Sequence, residues 1–232
     1  MLGWRTDRVV ALTPLNTAAL ASPSLVYGRA PASMFLGFVG SLHGTVLDIG
    51  PGEGGSAEPL RAAGAERLVG IEPDPTAAQA ARARYDEVIE KPIESVGDDV
   101  IGAADVIIAA DCLEHLLDPW GVLRQLHAGS PPHARLAISV PNLRYLGILV
   151  PALMWGRFEY SDVGGIMDRG HLRWFTHASM GRALTACGWS PVRWSGAFGS
   201  GRRALLNQMS GRFLGNVLSH QIYVVAVKGE RT

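Results

Sequence analysis

Asp48 stands alone in the apolar run Val46-Leu47-Asp48-Ile49, immediately before Gly50-Pro51-Gly52-Glu53-Gly54-Gly55. A carboxylate inside a buried strand is costly unless donors or a cation satisfy it, and glycines beside it let the backbone approach a ligand closely. The pair suits the floor of a site for a positively charged cofactor. Gly50, Gly52 and Gly55 also satisfy the dinucleotide pattern G-x-G-x-x-G, but a carboxylate gains nothing by facing a pyrophosphate. Glu72 ends the next apolar run, which starts at Arg67, at the place where an acid in a doubly wound sheet accepts both hydroxyls of a ribose. A third group, Asp111-Cys112-Leu113-Glu114-His115-Leu116, follows the apolar run from Asp105 to Ala110. His115 is the candidate general base, because imidazole titrates near neutrality; the alternative is that it caps or packs the following helix. His171, within Asp168-Arg169-Gly170-His171-Leu172-Arg173-Trp174-Phe175-Thr176, is a second candidate base, or else fixes its loop through a hydrogen bond.

Taken together these residues resemble the class I methyltransferases that use S-adenosylmethionine (SAM). The first motif of that class, an acid followed by G-x-G-x-G, is matched by Asp48, Gly50, Gly52 and Gly54. The fourth-strand motif is matched by Asp111 to Leu116, and His171, Arg173, Phe175 and Thr176, followed by a helix and Gly188-Trp189, are similar to small-molecule O-methyltransferases of ubiquinone and sugar or natural-product pathways. The resemblance spans roughly residues 44 to 228. It implies SAM as methyl donor and S-adenosylhomocysteine (SAH) as product. It places the cofactor on Asp48, Gly50, Pro51, Gly52, Gly54, Glu72, Pro73, Ile93, Glu94, Asp111 and Cys112. Where the class often has an acid for the adenine amino group this chain has Pro92, so backbone near Ile93, or Glu94, takes that place. Asn142, Tyr145, Tyr160, Arg173 and Trp174 are the expected acceptor contacts. The ubiquinone-pathway enzymes hold a divalent ion on a cluster similar to Asp111, Glu114 and His115, with glutamate at the first position. The shorter aspartate weakens that match, and no metal is expected here. The implied reaction is O-methylation of a sugar, glycan or natural-product scaffold. The alternatives are a catalytically inactive methyltransferase-like binding module, which Pro92 suggests, and a nicotinamide-dependent oxidoreductase. Against the latter, no tyrosine is followed four residues later by lysine.

These side chains need strand ends and helix starts to hold them. Apolar runs at 46–49, 67–72, 87–90, 105–110, 135–140, 192–195 and 221–227 read as strands, and segments 56–63, 76–85, 120–127, 143–156 and 177–187 as helices. Strands alternating with helices give an α/β fold. The resemblance implies a doubly wound, Rossmann-like sheet of seven strands in the order 3-2-1-4-5-7-6, the last antiparallel, with helices on both faces. Residues 1–44 are expected as an N-terminal cap over the cleft, with Tyr27 an ordinary packing residue and, as the alternative, one that faces the site, and 45–232 as the methyltransferase domain. A substrate lid is expected around 143–175.

With 232 residues, 47% of them hydrophobic and 18% charged, the chain has material for one large core. Its 21 basic and 21 acidic residues cancel, which removes any global electrostatic case for a nucleic-acid partner. The expected partner is a small-molecule acceptor. Cys112 and Cys187, far apart and both internal, read as reduced thiols of a cytoplasmic protein. Asp7, Pro14 and Asn16 spoil an N-terminal signal-peptide reading, and the apolar run Leu146 to Trp155 is too short to span a bilayer. The segment Gly199–Leu218, with Arg202, Arg203 and Arg212 among Leu205, Leu206, Phe213 and Leu218, keeps contact with a membrane surface as a secondary alternative.

Overall fold

The computed structural model of the chain describes residues 31–162, 164–210 and 214–229, and only the backbone of residues 31–33. Four parallel strands come first: β1 (Thr45–Ile49), β2 (Arg67–Ile71), β3 (Glu87–Ile89) and β4 (Val106–Ala110). They are followed by β5 (Arg135–Pro141), β6 (Trp189–Ala197) and β7 (Gln221–Lys228). The sheet runs β3-β2-β1-β4-β5-β7-β6, and β7 is antiparallel to both neighbours. This is the expected order. Asp48 in β1 pairs with Gly70 in β2 and Ile108 in β4, so the carboxylate enters the sheet near its middle.

Central strands buried on both faces are apolar at nearly every position, and their side chains divide between two cores. One holds Leu47, Ile71, Ile107 and Ile138 against α4 (Asp98–Gly102), α5 (Pro119–Gly129) and α7 (His177–Ala186). The other holds Val46, Leu68, Ile108 and Tyr223 against α1 (Pro31–Val39), α2 (Ala57–Ala62) and α3 (Pro75–Ala81). The helices begin where the sequence supplies caps. Asp74 accepts from Ala77 N at 2.8 Å, Asp118 from Gly121 N at 2.9 Å, and Thr176 and Ser179 form a reciprocal capping box.

Several elements differ from expectation for identifiable reasons. β6 has nine residues instead of four, with a register shift between Pro191 and Arg193. An outermost strand tolerates proline and solvent-facing side chains, which hide its period. α6 (Leu146–Trp155) starts three residues late, because Asn142 accepts from Arg144 N through Oδ1 at 3.1 Å and from Tyr145 N through its carbonyl at 3.1 Å. The segment 199–218 forms α8 (Gly201–Met209) and α9 (Gly215–Leu218), with Arg212 and Phe213 outside the described residues. Within the expected N-terminal cap, α1 packs on a sheet face, its Phe35 ring 5.3 Å from that of Tyr223. Tyr27 lies outside the described residues. No described helix is long and apolar enough to cross a membrane.

Candidate active site

The turn after β1 has Gly50, Gly52 and Gly54 at φ 73°, 56° and 83°. At Gly52 this left-handed conformation meets open space, with nothing within 4 Å of where a Cβ would stand. At Gly54 a Cβ would come within 3.1 Å of Ala81 Cα, so glycine lets α3 press against the turn. Glu72, just beyond β2, is buried and clamps this arrangement. It accepts from Gly52 N at 2.9 Å through one oxygen and from Asp74 N at 3.0 Å through the other. Asp48 lies beneath the turn, where Tyr85 donates its hydroxyl to the carboxylate at 2.6 Å. Burial pushes Asp48 up to about 6, although the hydrogen bonds from Tyr85 and Ser56 oppose the shift. Pro51 is buried in the same turn and Pro73 exposed beside Glu72.

Asp111 follows β4 at φ 49°, the one described non-glycine residue in the left-handed region. This conformation costs of order 1 kcal/mol or more, and it swings the carboxylate away from the glycine turn. Its Oδ1 accepts from Ser139 Oγ at 2.9 Å and from Gln221 Nε2 at 2.8 Å. Cys112 then lies over Gly50, its sulfur 3.9 Å from where a Cβ would stand there. Burial raises the thiol's pKa, and the charges of Glu114, Asp48, Glu94 and Glu72 raise it further. The buried carboxylates Asp48 and Glu72 thus flank the glycine turn at the carboxyl ends of β1 and β2, with the Cys112 thiol over Gly50 from the end of β4.

The alternative metal grouping of Asp111, Glu114 and His115 is not the one the structure brings together; among the described residues His171 stands in place of Asp111. Donor atoms of Glu114, His115 and His171 lie within 4.8 Å of one another. His115 Nδ1 meets Gly170 O at 3.0 Å, and His171 Nδ1 meets Ile166 O at 3.0 Å. Since a carbonyl only accepts, both Nδ1 atoms carry a proton, and a neutral His115 ring then has its lone pair on Nε2. Burial and the adjacent His171 hold His115 below the usual imidazole range. Glu114 is buried, neither oxygen has a hydrogen-bond partner among the described residues, and burial and the charge of Asp111 raise its pKa well above the ordinary value. Its Oε1 is 3.9 Å from His171 Nε2, too far for a hydrogen bond.

Residues 28–193 match the model of a family described as a methyltransferase domain. The chain belongs to this methyltransferase-domain family. Among solved structures it is similar to magnesium protoporphyrin IX methyltransferase from Synechocystis with bound SAH, at 18% identity over 87% of this chain and 83% of that one, with a TM-score of 0.56. It is also similar to 1,6-didemethyltoxoflavin-N1-methyltransferase of Burkholderia thailandensis, bound to 1,6-didemethyltoxoflavin and SAH, at 20% identity over 87% and 78% of the two chains (TM-score 0.54). A structure of the Haloferax volcanii Trm112 activator with its putative methyltransferase matches at 18% identity over 87% and 89% (TM-score 0.59). The sequence matches none of the curated proteins compared with it. Family membership sets aside the dinucleotide reading of the glycines.

Around the methyltransferase cleft the remaining candidates divide sharply. Asn142, expected at the acceptor, is wholly buried, and its Nδ2 donates to Asn216 O at 3.0 Å and Ser219 O at 2.9 Å, so it holds its loop together and is closed to a ligand. His171 is also buried, with its Nδ1 engaged as above. Arg173 folds back onto the carbonyls of Leu172 and Leu117. Tyr160 and Trp174 do meet, with ring centroids 6.4 Å apart, beside the exposed Phe158. Tyr145 lies under the Arg203 guanidinium, 5.0 Å from its ring centroid. Ile93 sends its side chain into the core while its carbonyl accepts from Gln125 Nε2 at 3.2 Å; Glu94 is exposed. Sequence reasoning missed Tyr85, Ser139 and Gln221. For Tyr85 a signal existed: Gly70 interrupts an apolar strand, and a Cβ there would meet Pro51 at 3.0 Å and Tyr85 at 3.3 Å.

Proposed function

We propose that the chain transfers a methyl group from SAM to a hydroxyl oxygen of a small molecule, a sugar, glycan or natural-product scaffold. The observation that carries this reading is the pair of buried carboxylates at the open glycine turn, Glu72 accepting from Gly52 N at 2.9 Å and Asp48 accepting from Tyr85 beneath it at 2.6 Å. A sulfonium nucleoside with an ammonium group is the ligand such a pocket favours. In this reading Glu72 keeps its backbone partners and accepts the ribose hydroxyls on its remaining lone pairs, while Gly52 faces the ligand. The acceptor oxygen attacks the methyl carbon, an O–C bond forms, the S–C bond breaks, and its electron pair stays on sulfur to give SAH. His115 takes the acceptor proton on Nε2, since a depressed pKa keeps the imidazole neutral at pH 7. His171 and Glu114 support the His115 ring from behind, the two rings meeting edge to face at 4.8 Å. No step runs through a metal. The aromatic pair Tyr160 and Trp174 supports a ring-bearing acceptor, and the two relatives named for porphyrin and toxoflavin substrates act on ring compounds. Isothermal titration with SAH tests the first half: micromolar binding is expected, and none below millimolar overturns it. Radiolabelled methyl transfer to a panel of sugars, phenols and amines tests the second.

A further inference from the structure

α6 and α8 differ from the other long helices in that none of their side chains is buried. On α6, Leu146, Val150, Leu153 and Met154 are exposed at the i, i+4, i+7, i+8 spacing of one helical face. Leu153 is 82% exposed, Met154 70% and Trp155 65%, and the chain continues into exposed Phe158. α8 exposes Leu205, Leu206 and Met209. α8 lies beside the start of α6, because Arg203 of α8 stacks on Tyr145 just before α6, and the loop leading into α6 is tied to α9 and the residue after it through Asn142, which bonds to Asn216 and Ser219. A stripe this apolar has to be covered by something.

Charge says what covers it. Neutral overall, the chain is strongly polarised: between Pro119 and Gly229 stand twelve lysines and arginines against three acids, Glu159, Asp162 and Asp168. Of these acids, Asp162 is paired with Arg169 at 3.0 Å and Asp168 is buried. Arg144 and Arg157, both exposed, flank α6, and exposed Arg202 opens α8. In a symmetric dimer the same patch would meet itself and set these arginines against their own copies. An anionic lipid surface meets both demands, apolar depth and negative charge.

We propose that α6 and α8 form a docking surface for an anionic bilayer. α6 lies in the interfacial plane, with Leu153, Met154 and Trp155 at the acyl boundary and Arg144, Arg157 and Arg202 among the headgroups. Ten residues of helix cannot cross a bilayer, which needs roughly 20, so the contact is peripheral. The lid residues after Trp155 then face the membrane, a placement that deepens the acceptor reading but does not depend on it. The test is sedimentation of the full chain with extruded vesicles, either equal parts phosphatidylglycerol and phosphatidylcholine or phosphatidylcholine alone. Binding to the anionic vesicles at low salt is expected, with release by high salt and far less binding to the neutral ones. The triple variant Leu153→Ser, Met154→Ser, Trp155→Ser should lose roughly tenfold or more in partitioning, and Arg157→Gln and Arg202→Gln about fivefold each. Circular dichroism and SAH titration of the same variants report folding and the cofactor site separately. Failure to bind anionic vesicles, equal binding by the variants, or a dimer in sedimentation velocity that the triple variant dissociates would each overturn the proposal.

Discussion

The part of the sheet built by β3, β2, β1 and β4 and the part built by β5, β7 and β6 recognise their ligands in different ways. In the first, carboxylates stand near strand ends and are held in place, Glu72 by the backbone of Gly52 and Asp74 and Asp48 by the Tyr85 hydroxyl beneath the turn. In the second, the polar groups mostly hold the protein to itself, as Asn142 does, while exposed aromatic and aliphatic side chains on α6 and the following loop meet the surroundings. A cofactor of one structure can be read by a few rigid groups. The later part of the chain offers an exposed surface instead, and it carries positive charge where the earlier part carries negative.

Three measurements would break or sharpen this contrast. The largest effect is expected where the two parts meet: His115→Ala should lower kcat about a hundredfold or more with SAH affinity little changed, and an equal loss of SAH affinity would move His115 to the cofactor side. Next comes the pH dependence of SAM binding. Because burial raises Asp48 in the folded protein to about 6 from 3.8, its protonated form contributes stability that is fully present below 3.8 and lost as pH rises through about 6. The amount is about 3 kcal/mol. The sulfonium of SAM, which SAH lacks, favours the ionised form, so SAM binding releases a proton at low pH. SAM should bind roughly tenfold more weakly at pH 5 than at pH 7.5, a dependence larger than that of SAH, and Asp48→Asn should flatten it; a pH-independent wild type would separate Asp48 from the ligand's charge. The smallest effect is expected for Asn142→Ala. Losing its buried hydrogen bonds should cost about 1–3 kcal/mol, read as a lower melting temperature with SAH affinity intact.

The same contrast explains what was legible in the sequence. The strands, the glycine turn and the places of Asp48 and Glu72 follow from local patterns, because parallel strands are apolar runs and their ends are marked by glycine, acid or proline; the strand order came from the resemblance to class I methyltransferases. The acceptor side is built from long-range contacts with no local signature. Gln221 reaches Asp111 across 110 positions and Asn142 reaches Ser219 across 77, and even on the cofactor side Tyr85 reaches Asp48 across 37. Asn142 looked like a ligand contact because it ends a strand at the open edge, yet the loop it closes took its amide. His171, a candidate second base by its place in the phrase, is buried with its ring edge to face against that of His115, a long-range contact that no local pattern announces.

Asp111 has one further consequence. With its backbone turned left-handed, it points one way into Ser139 and Gln221 while handing Cys112 the other way, over Gly50. It is the swivel at which donor and acceptor modules are stitched. A chimaera that grafts a foreign acceptor module onto this donor module must therefore carry positions 139 and 221 across the junction together with 111, or the splice will unhook the thiol from the turn it covers.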